Sequence, residues 1–194
     1  MNVVVKKITD WMRVVNAARK TSGKAYIERE PKREWRARML LAEHSPIRLL
    51  EFDIDMEGIR QWVTVHYVRH HIGVEKFVHS QREDRRVLDV PRDQLPQGAE
   101  NDMMYSCNAQ ALINISRKRL CNQASKETRE VWVKVKEVIG ETDPEMASKM
   151  VPECIYRGFC PEMKPCGYCF TKKYQEALAK YRKESLWSSQ NSEQ

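Results

Sequence analysis

Glycine placement is the strongest constraint on what this chain can fold into. Its seven glycines stand at 23, 58, 73, 98, 140, 158 and 167. No two lie close enough for G-x-G-x-x-G or G-x-x-x-x-G-K, so neither the Rossmann dinucleotide fingerprint nor a P-loop is present. A phosphate-bearing ligand would therefore have to be gripped largely by side chains. Those side chains exist: 34 Lys and Arg against 27 Asp and Glu give a net charge of +7. That balance favours an anionic partner, whether a nucleotide, a nucleic acid or an acidic cofactor. A length of 194 residues suits one substantial domain or at most two small ones, and 41% hydrophobic with 31% charged residues is a globular balance. No apolar run approaches the roughly 20 residues of a membrane helix. The opening MNVVVKKITDWMR lacks a long apolar core followed by a small-residue cleavage site, so a cytoplasmic protein is expected.

The pattern of elements predicts an α+β chain in which helices dominate. Val3–Val5 reads as a strand. Thr9 or Asp10 caps a helix whose Trp11, Val14, Val15 and Ala18 form a core-facing stripe, ending near Thr21-Ser22-Gly23. A second helix is expected from Lys32 to about Glu43, stopped by Ser45-Pro46. Ile47–Met56 and Gln61–Val68 alternate apolar and polar residues and predict strands. Residues 69–100 read as a basic and then loop-like segment. Residues 101–139 contain neither proline nor glycine and predict one kinked helix or two. Asp143-Pro144 opens a short helix to about Met150. A Cys- and Pro-rich loop, a helix over about Thr171–Leu186 and a frayed tail at Trp187–Gln194 complete the chain.

Three constellations could carry chemistry. Four of the five histidines (His66, His70, His71, His79) fall within fourteen residues, beside Arg69, Arg82, Arg85 and Arg86. Such a cluster is costly to bury without an anion, because the charges repel and lose hydration; the alternative is a solvated basic loop. A metal held by His66 and His70 at i, i+4 would need a helix where the pattern predicts a strand. A second basic set, Arg117, Lys118, Arg119, Lys126 and Arg129, lies on the helical stretch. Arg119, Gln123 and Glu127 share a face there, and an Arg fork suits a phosphate or pyrimidine carbonyls. The third set is Cys154, Cys160, Cys166 and Cys169. It allows a tetrathiolate zinc site, free thiols or a transient disulfide, and no metal is assigned from the spacing. Nucleophilic catalysis has little support, since there is no G-x-S-x-G and Ser80 is only a sequence neighbour of His79.

Several motifs in order resemble the flavin-dependent thymidylate synthases, the ThyX family. Arg69-His70-His71 is similar to that family's Arg-His-Arg triplet, and Ser80-Gln81-Arg82 to its Ser-x-Arg. AARKTSG (Ala17–Gly23) resembles the Ala-Ala-Arg-x-(Ser/Thr) helix end, and Ser45-Pro46 the (Ser/Thr)-Pro turn. The run from Arg119 through Gln123-Ala124 and Glu127-Thr128-Arg129 resembles Arg-x3-(His/Gln)-Ala-x2-Glu-(Ile)-Arg, and Asn108 matches a recurrent Asn. The resemblance spans roughly residues 3–140. It departs from the pattern at His71, at His66 in place of Gln, at Arg48 in place of an acidic residue, in one extra residue between Arg69 and Ser80, and in Val78-His79, where the acidic residue before the Ser would stand.

The resemblance implies a ThyX-like α+β fold, helix-rich around an antiparallel or mixed sheet, with active sites at subunit interfaces of a homotetramer. Residues 1–150 would form the catalytic domain, and 151–194 a Cys-rich loop and helix packed on it or extending it. It implies reductive methylation of dUMP to dTMP, with FAD as cofactor and methylenetetrahydrofolate and NADPH as co-substrates. The setting would be the cytoplasm of a bacterium, an archaeon or a phage-infected cell, with no membrane and no nucleic acid as partner. Carried over residue by residue, Arg69, His71 and Arg129 are catalytic. His66, Ser80, Gln81, Arg82 and Arg129 bind dUMP. Ser22, Ser45, Arg69, His70, His71, Arg119 and Gln123 bind FAD. The departures leave open a pyrimidine nucleotide hydroxymethylase acting on dUMP or dCMP. From another class, a basic nucleic-acid-binding protein with a four-cysteine zinc end also fits the charge. Against it, the basic residues form two distant clusters without interleaved aromatic platforms.

Overall fold

Alternating burial along two long strands organises the molecule. In this computed structural model, which describes residues 1–85 and 90–190 with side chains to residue 183, four strands form one antiparallel sheet. They are β1 (Asn2–Lys7), β2 (Glu51–Arg60), β3 (Val74–Val78) and β4 (Glu100–Asn108), in the spatial order β1-β2-β4-β3. β2 buries Phe52, Ile54 and Met56, and β4 sets Cys107, Tyr105 and Met103 directly opposite them. Cross-strand neighbours thus send their side chains to one face, and each buried large side chain stabilises by about 1.5–3 kcal/mol. The register shifts between Met56 and Ile59, around Gly58 at φ +62°.

Helices cover the apolar face. α1 (Trp11–Thr21) starts where the Asp10 carboxylate accepts from the Arg13 amide, and it buries Trp11, Val14 and Val15. α2 (Arg33–Leu41) is followed by a 3-10 turn, Ser45–Leu49, and by β2. α3 (Gln61–Tyr67) links β2 to the loop before β3. α4 (Ala109–Arg119) continues directly from β4. α5 (Lys126–Thr142) packs on β1 and β2, and α6 (Pro144–Lys149) on α5. At the α5–α6 junction the buried Asp143 accepts from the Trp11 indole at 2.7 Å and pairs with Lys7 at 2.9 Å. A smaller apolar cluster beyond this core joins α7 (Glu153–Arg157) to α8 (Lys172–Gln190) through Ile155, Tyr174 and Leu178. Among the described residues no helix is long and apolar enough to cross a membrane.

Five sequence expectations are corrected. Residues 61–67 are helix, not strand: Val63, Thr64 and Tyr67 are buried, a helical i, i+1, i+4 face, while Val65 is exposed. β-branched residues disfavour a helix only weakly, and burial of Tyr67 against Tyr105 and Trp132 overrides that. Residues 100–108 are strand, not helix, with Asn101, Met103, Tyr105 and Cys107 inward at period two. β3 falls within the supposed loop, and residues 47–49 belong to the 3-10 turn rather than to β2. α8 runs on to Gln190, past the expected start of the tail at Trp187; residues 191–194 lie outside the described residues, as does Arg86.

Candidate functional site

The C-terminal end of α3 leaves carbonyls without helical partners, as every helix end does. Two cations from elsewhere in the chain take them. Arg119, at the end of α4, donates through Nη2 to the His66 carbonyl at 2.5 Å and through Nε to His70 Nε2 at 2.9 Å. Lys76, on β3, donates to the carbonyls of His70 at 2.8 Å and Val68 at 3.3 Å, and to His71 Nδ1 at 2.9 Å. Neither cation can accept a hydrogen bond, so His70 Nε2 and His71 Nδ1 are acceptors and the ring proton of each neutral imidazole sits on the other nitrogen. Burial, then Arg119, His71 and Lys76, push the His70 pKa down to about 4.

His66 Nδ1 lies 2.8 Å from the buried Thr128 hydroxyl in α5. Ser125 donates to that same hydroxyl at 2.8 Å, so Thr128 passes its proton toward His66. Burial, then Arg119 and Arg69, lower the His66 pKa. The Tyr67 hydroxyl donates to the Thr128 carbonyl at 2.7 Å, and the Tyr105 hydroxyl to the Tyr67 carbonyl at 3.2 Å. A buried polar network therefore brings α3, α4 and the start of α5 together. Arg69 stands exposed at its edge. Arg129, one residue after Thr128, keeps its half-buried guanidinium 3.4 Å from the Asn122 and Ala124 carbonyls; these contacts are long, and the fork retains donors for a ligand. The helical spacing of His66 and His70 does not produce a metal site. His70 lies beyond the helix end, His66 Nδ1 is on Thr128 and His70 Nε2 is on Arg119.

The other end of α3 fixes a second segment. Asn101 is buried in β4. Its amide nitrogen donates to Gln61 Oε1 at 2.5 Å and to the His79 carbonyl at 3.2 Å, and its oxygen accepts from Gln81 at 3.0 Å and from the Asp102 amide at 2.9 Å. Ser80, Gln81 and Arg82 are thus held near the N-terminus of α3, about 10 Å along a seven-residue helix from the Arg119 cluster. Arg82 is exposed and pairs with Asp84 at 3.2 Å, a contact too solvated to hold it.

The structure therefore groups His66, Arg69, His70, His71 and Arg119, with Arg129 on the adjoining α5 turned to the Asn122 and Ala124 carbonyls, and Ser80, Gln81 and Arg82 at the far end of α3. Three other expected residues stand apart. Gln123 donates to the Lys164 carbonyl at 2.6 Å, toward the Cys-rich segment. Ser22, at the end of α1, donates to the Ala18 carbonyl, and Ser45 is exposed at the start of the 3-10 turn. Among the described residues no hydrogen bond joins Ser22 or Ser45 to the segment 66–82. Asn101, Lys76 and Ser125 were not singled out in the sequence as site residues; the only trace was a polar residue at an inward position of a period-two pattern in Asn101. The set is donor-rich, with neutral imidazoles beside permanent guanidinium charges, and it suits a flat anion or a phosphate. No thiol of the sheet can serve as nucleophile here: Cys107 is buried, and burial pushes its pKa far up.

A family model described as thymidylate synthase complementing protein matches residues 85–145, the span of β4, α4 and α5 with Asn101, Arg119 and Arg129. Among solved structures, the chain is similar to the flavin-dependent thymidylate synthase ThyX from Helicobacter pylori complexed with FAD and dUMP. In two such structures identity is 15%, with TM-scores of 0.60 and 0.61; 75% and 77% of this chain and 98% and 99% of the other are covered. It is also similar to a UMP/dUMP methylase, PolB from Streptomyces cacaoi, bound with 5-Br dUMP, at 14% identity and a TM-score of 0.57, covering 81% of this chain and 96% of that one. No curated protein matches by sequence. At these identities the likeness of structure establishes the fold.

Proposed function

We propose that this chain, a divergent member of the thymidylate synthase complementing protein (ThyX) family, is a flavin-dependent thymidylate synthase that methylates dUMP reductively to dTMP. The observation that carries the reading is the Arg119 clamp. One guanidinium holds the His66 carbonyl and the His70 ring, with Arg69 beside it and Arg129 on the next helix. The donor set fits FAD: it offers guanidinium and ring N–H groups, and Asp84 is taken up by Arg82 and Arg85.

When bound, FAD would supply the electrons and carry the one-carbon unit between methylenetetrahydrofolate and the pyrimidine, with NADPH as reductant. The chain's own work is binding and charge placement. Arg69 and Arg119 would favour negative charge on the reduced ring. His70, with its Nε2 blocked by Arg119, offers only an N–H at Nδ1. Arg129 would take the pyrimidine carbonyls with its fork. Ser80, Gln81 and Arg82 would cradle the nucleotide phosphate with backbone amides and a guanidinium, and His66 would stand beside the base. Ser22, Ser45 and Gln123 do not meet this group within one chain. Their part in FAD binding fits an active site completed between subunits of a homotetramer in the cytoplasm.

The test is to purify the chain, measure flavin released on denaturation, and incubate it with FAD, NADPH, methylenetetrahydrofolate and either dUMP or dCMP, identifying products by mass. A yellow protein that forms dTMP supports the reading. A hydroxymethylated product, or turnover of dCMP, overturns the assigned reaction. Colourless protein with salt-sensitive oligonucleotide binding overturns the enzyme class. Arg129→Ala should weaken dUMP binding by on the order of 100-fold, the scale of a lost bidentate charged contact, while FAD stays bound. Unchanged dUMP affinity would refute the role of Arg129.

A further inference from the structure

We propose that Cys121 and three of the four C-terminal cysteines bind one thiophilic divalent ion of the zinc class in the single cavity that all five thiols line. In sequence Cys121 stands apart from Cys154, Cys160, Cys166 and Cys169. In the fold, the α4–α5 loop brings it onto the wall of the cavity that those four line. None of the five is in a disulfide. The sixth thiol, Cys107, is buried in the sheet.

Three observations favour a metal over packing. The thiols are close enough to interact: Cys121 lies within electrostatic reach of Cys160, Cys166 and Glu162, and Cys154 within reach of Cys121 and Cys160. The Cys166–Cys169 pair has the two-residue spacing of tetrahedral thiolate sites, and Gly167, at φ +82°, turns the backbone tightly between the two sulfurs. The cavity has room for about 10 Å³, the space of one water or one ion. The surroundings also need such a link. The apolar cluster of α7 and α8 is small, and small cores are commonly closed by metals or disulfides.

Among the described residues no three metal-ligating side chains already surround one point. Rotation about each Cα–Cβ bond moves a sulfur by ångströms, so binding would draw the thiolates inward and couple metal to stability. The ion would also pin the loop between Arg119 and Arg129, which Gln123 already ties to the Lys164 carbonyl. This site is independent of the nucleotide chemistry proposed above.

The test uses the full chain purified under reducing conditions, with metal measured by plasma mass spectrometry. About one zinc per chain is expected. Cobalt added to chelator-stripped protein should give thiolate-to-metal absorbance. Cys121→Ser, which removes one thiolate ligand, should lower zinc affinity on the order of 100-fold. Cys107→Ser should keep full stoichiometry. Metal-free protein that also gives no cobalt–thiolate band would overturn the proposal, as would acid-labile sulfide, a native disulfide within the cluster, or Cys121→Ser binding zinc as tightly as the parent.

Discussion

Gly73 ends the loop that carries His70 and His71, and its replacement by alanine gives a prediction with a worked magnitude. Its φ is +70°, and an added Cβ would stand 2.6 Å from Asn108 Nδ2 and 2.9 Å from Asn108 Oδ1. Asn108 is not free to step aside. Its Oδ1 caps α4 by accepting from the Ala111 amide at 2.9 Å, and its backbone N–H donates to the Gly73 carbonyl at 3.1 Å. Gly73→Ala therefore carries a left-handed backbone cost of about 1 kcal/mol and displaces a cap worth about 1 kcal/mol, in all about 2 kcal/mol. Asn108→Ala removes the cap alone, about 1 kcal/mol. In the double variant the clash is gone and only the backbone cost and the lost cap remain, again about 2 kcal/mol rather than the additive 3. Thermal melts should show Gly73→Ala lowered by roughly 4–8 °C and Asn108→Ala by roughly 2–4 °C, with the double variant no lower than Gly73→Ala. Urea titrations of the four proteins give the coupling free energy directly. Strict additivity would refute the proposed contact, and a Gly73→Ala protein as stable as the parent would refute the whole account.

Two further outcomes are expected. Asn101→Leu leaves the Gln61 and Gln81 amides without their shared partner, which should destabilise the fold by about 1–3 kcal/mol and weaken binding of nucleotide phosphate more than binding of flavin; equal losses for both ligands would show that Asn101 does not serve the Ser80–Arg82 segment. The folded pKa of His70, about 4, lies below its ordinary 6.5, so the unfolded chain takes up a proton that the folded one refuses. This stability is whole above about pH 6.5 and is lost as pH falls toward 4. Its ceiling is about 3 kcal/mol, reduced to about 1–2 kcal/mol by solvent at the partly exposed ring. Urea midpoints measured from pH 4 to 8 should fall less steeply in His70→Gln, and identical slopes would contradict the neutral assignment.

Local chemistry made some elements legible before the fold was seen. Asp10 capping α1, the Trp11-Val14-Val15 stripe and the Asp143-Pro144 helix start each rest on neighbours within a few positions, and each is present. α3 and β4 were not legible. The alternation over 61–68 is shared by a strand and by a short helix whose buried positions are chosen by Tyr105 and Trp132, far along the chain. In β4 the freedom from glycine and proline permits a helix without demanding one, and pairing with β2 and β3 decides the matter. The site followed the same division. Arg69, His70, His71 and Arg119 could be named from motifs. Lys76 and Asn101 act across gaps of up to 40 residues, which no local pattern reveals. Gln123 was named by motif, yet its partner is Lys164, 41 residues away.

The indole of Trp11 and the carboxylate of Asp143 are separated by 132 positions in the chain. A ribosome adding about 5–20 residues per second needs roughly 7–26 s to make that stretch. Until then the first strand and helix have no acceptor for the Trp11 N–H and no counter-charge for Lys7. The segment bearing Trp11 must therefore wait for Asp143 before this buried contact can close, which leaves it open to chaperones and proteases while the intervening residues are made.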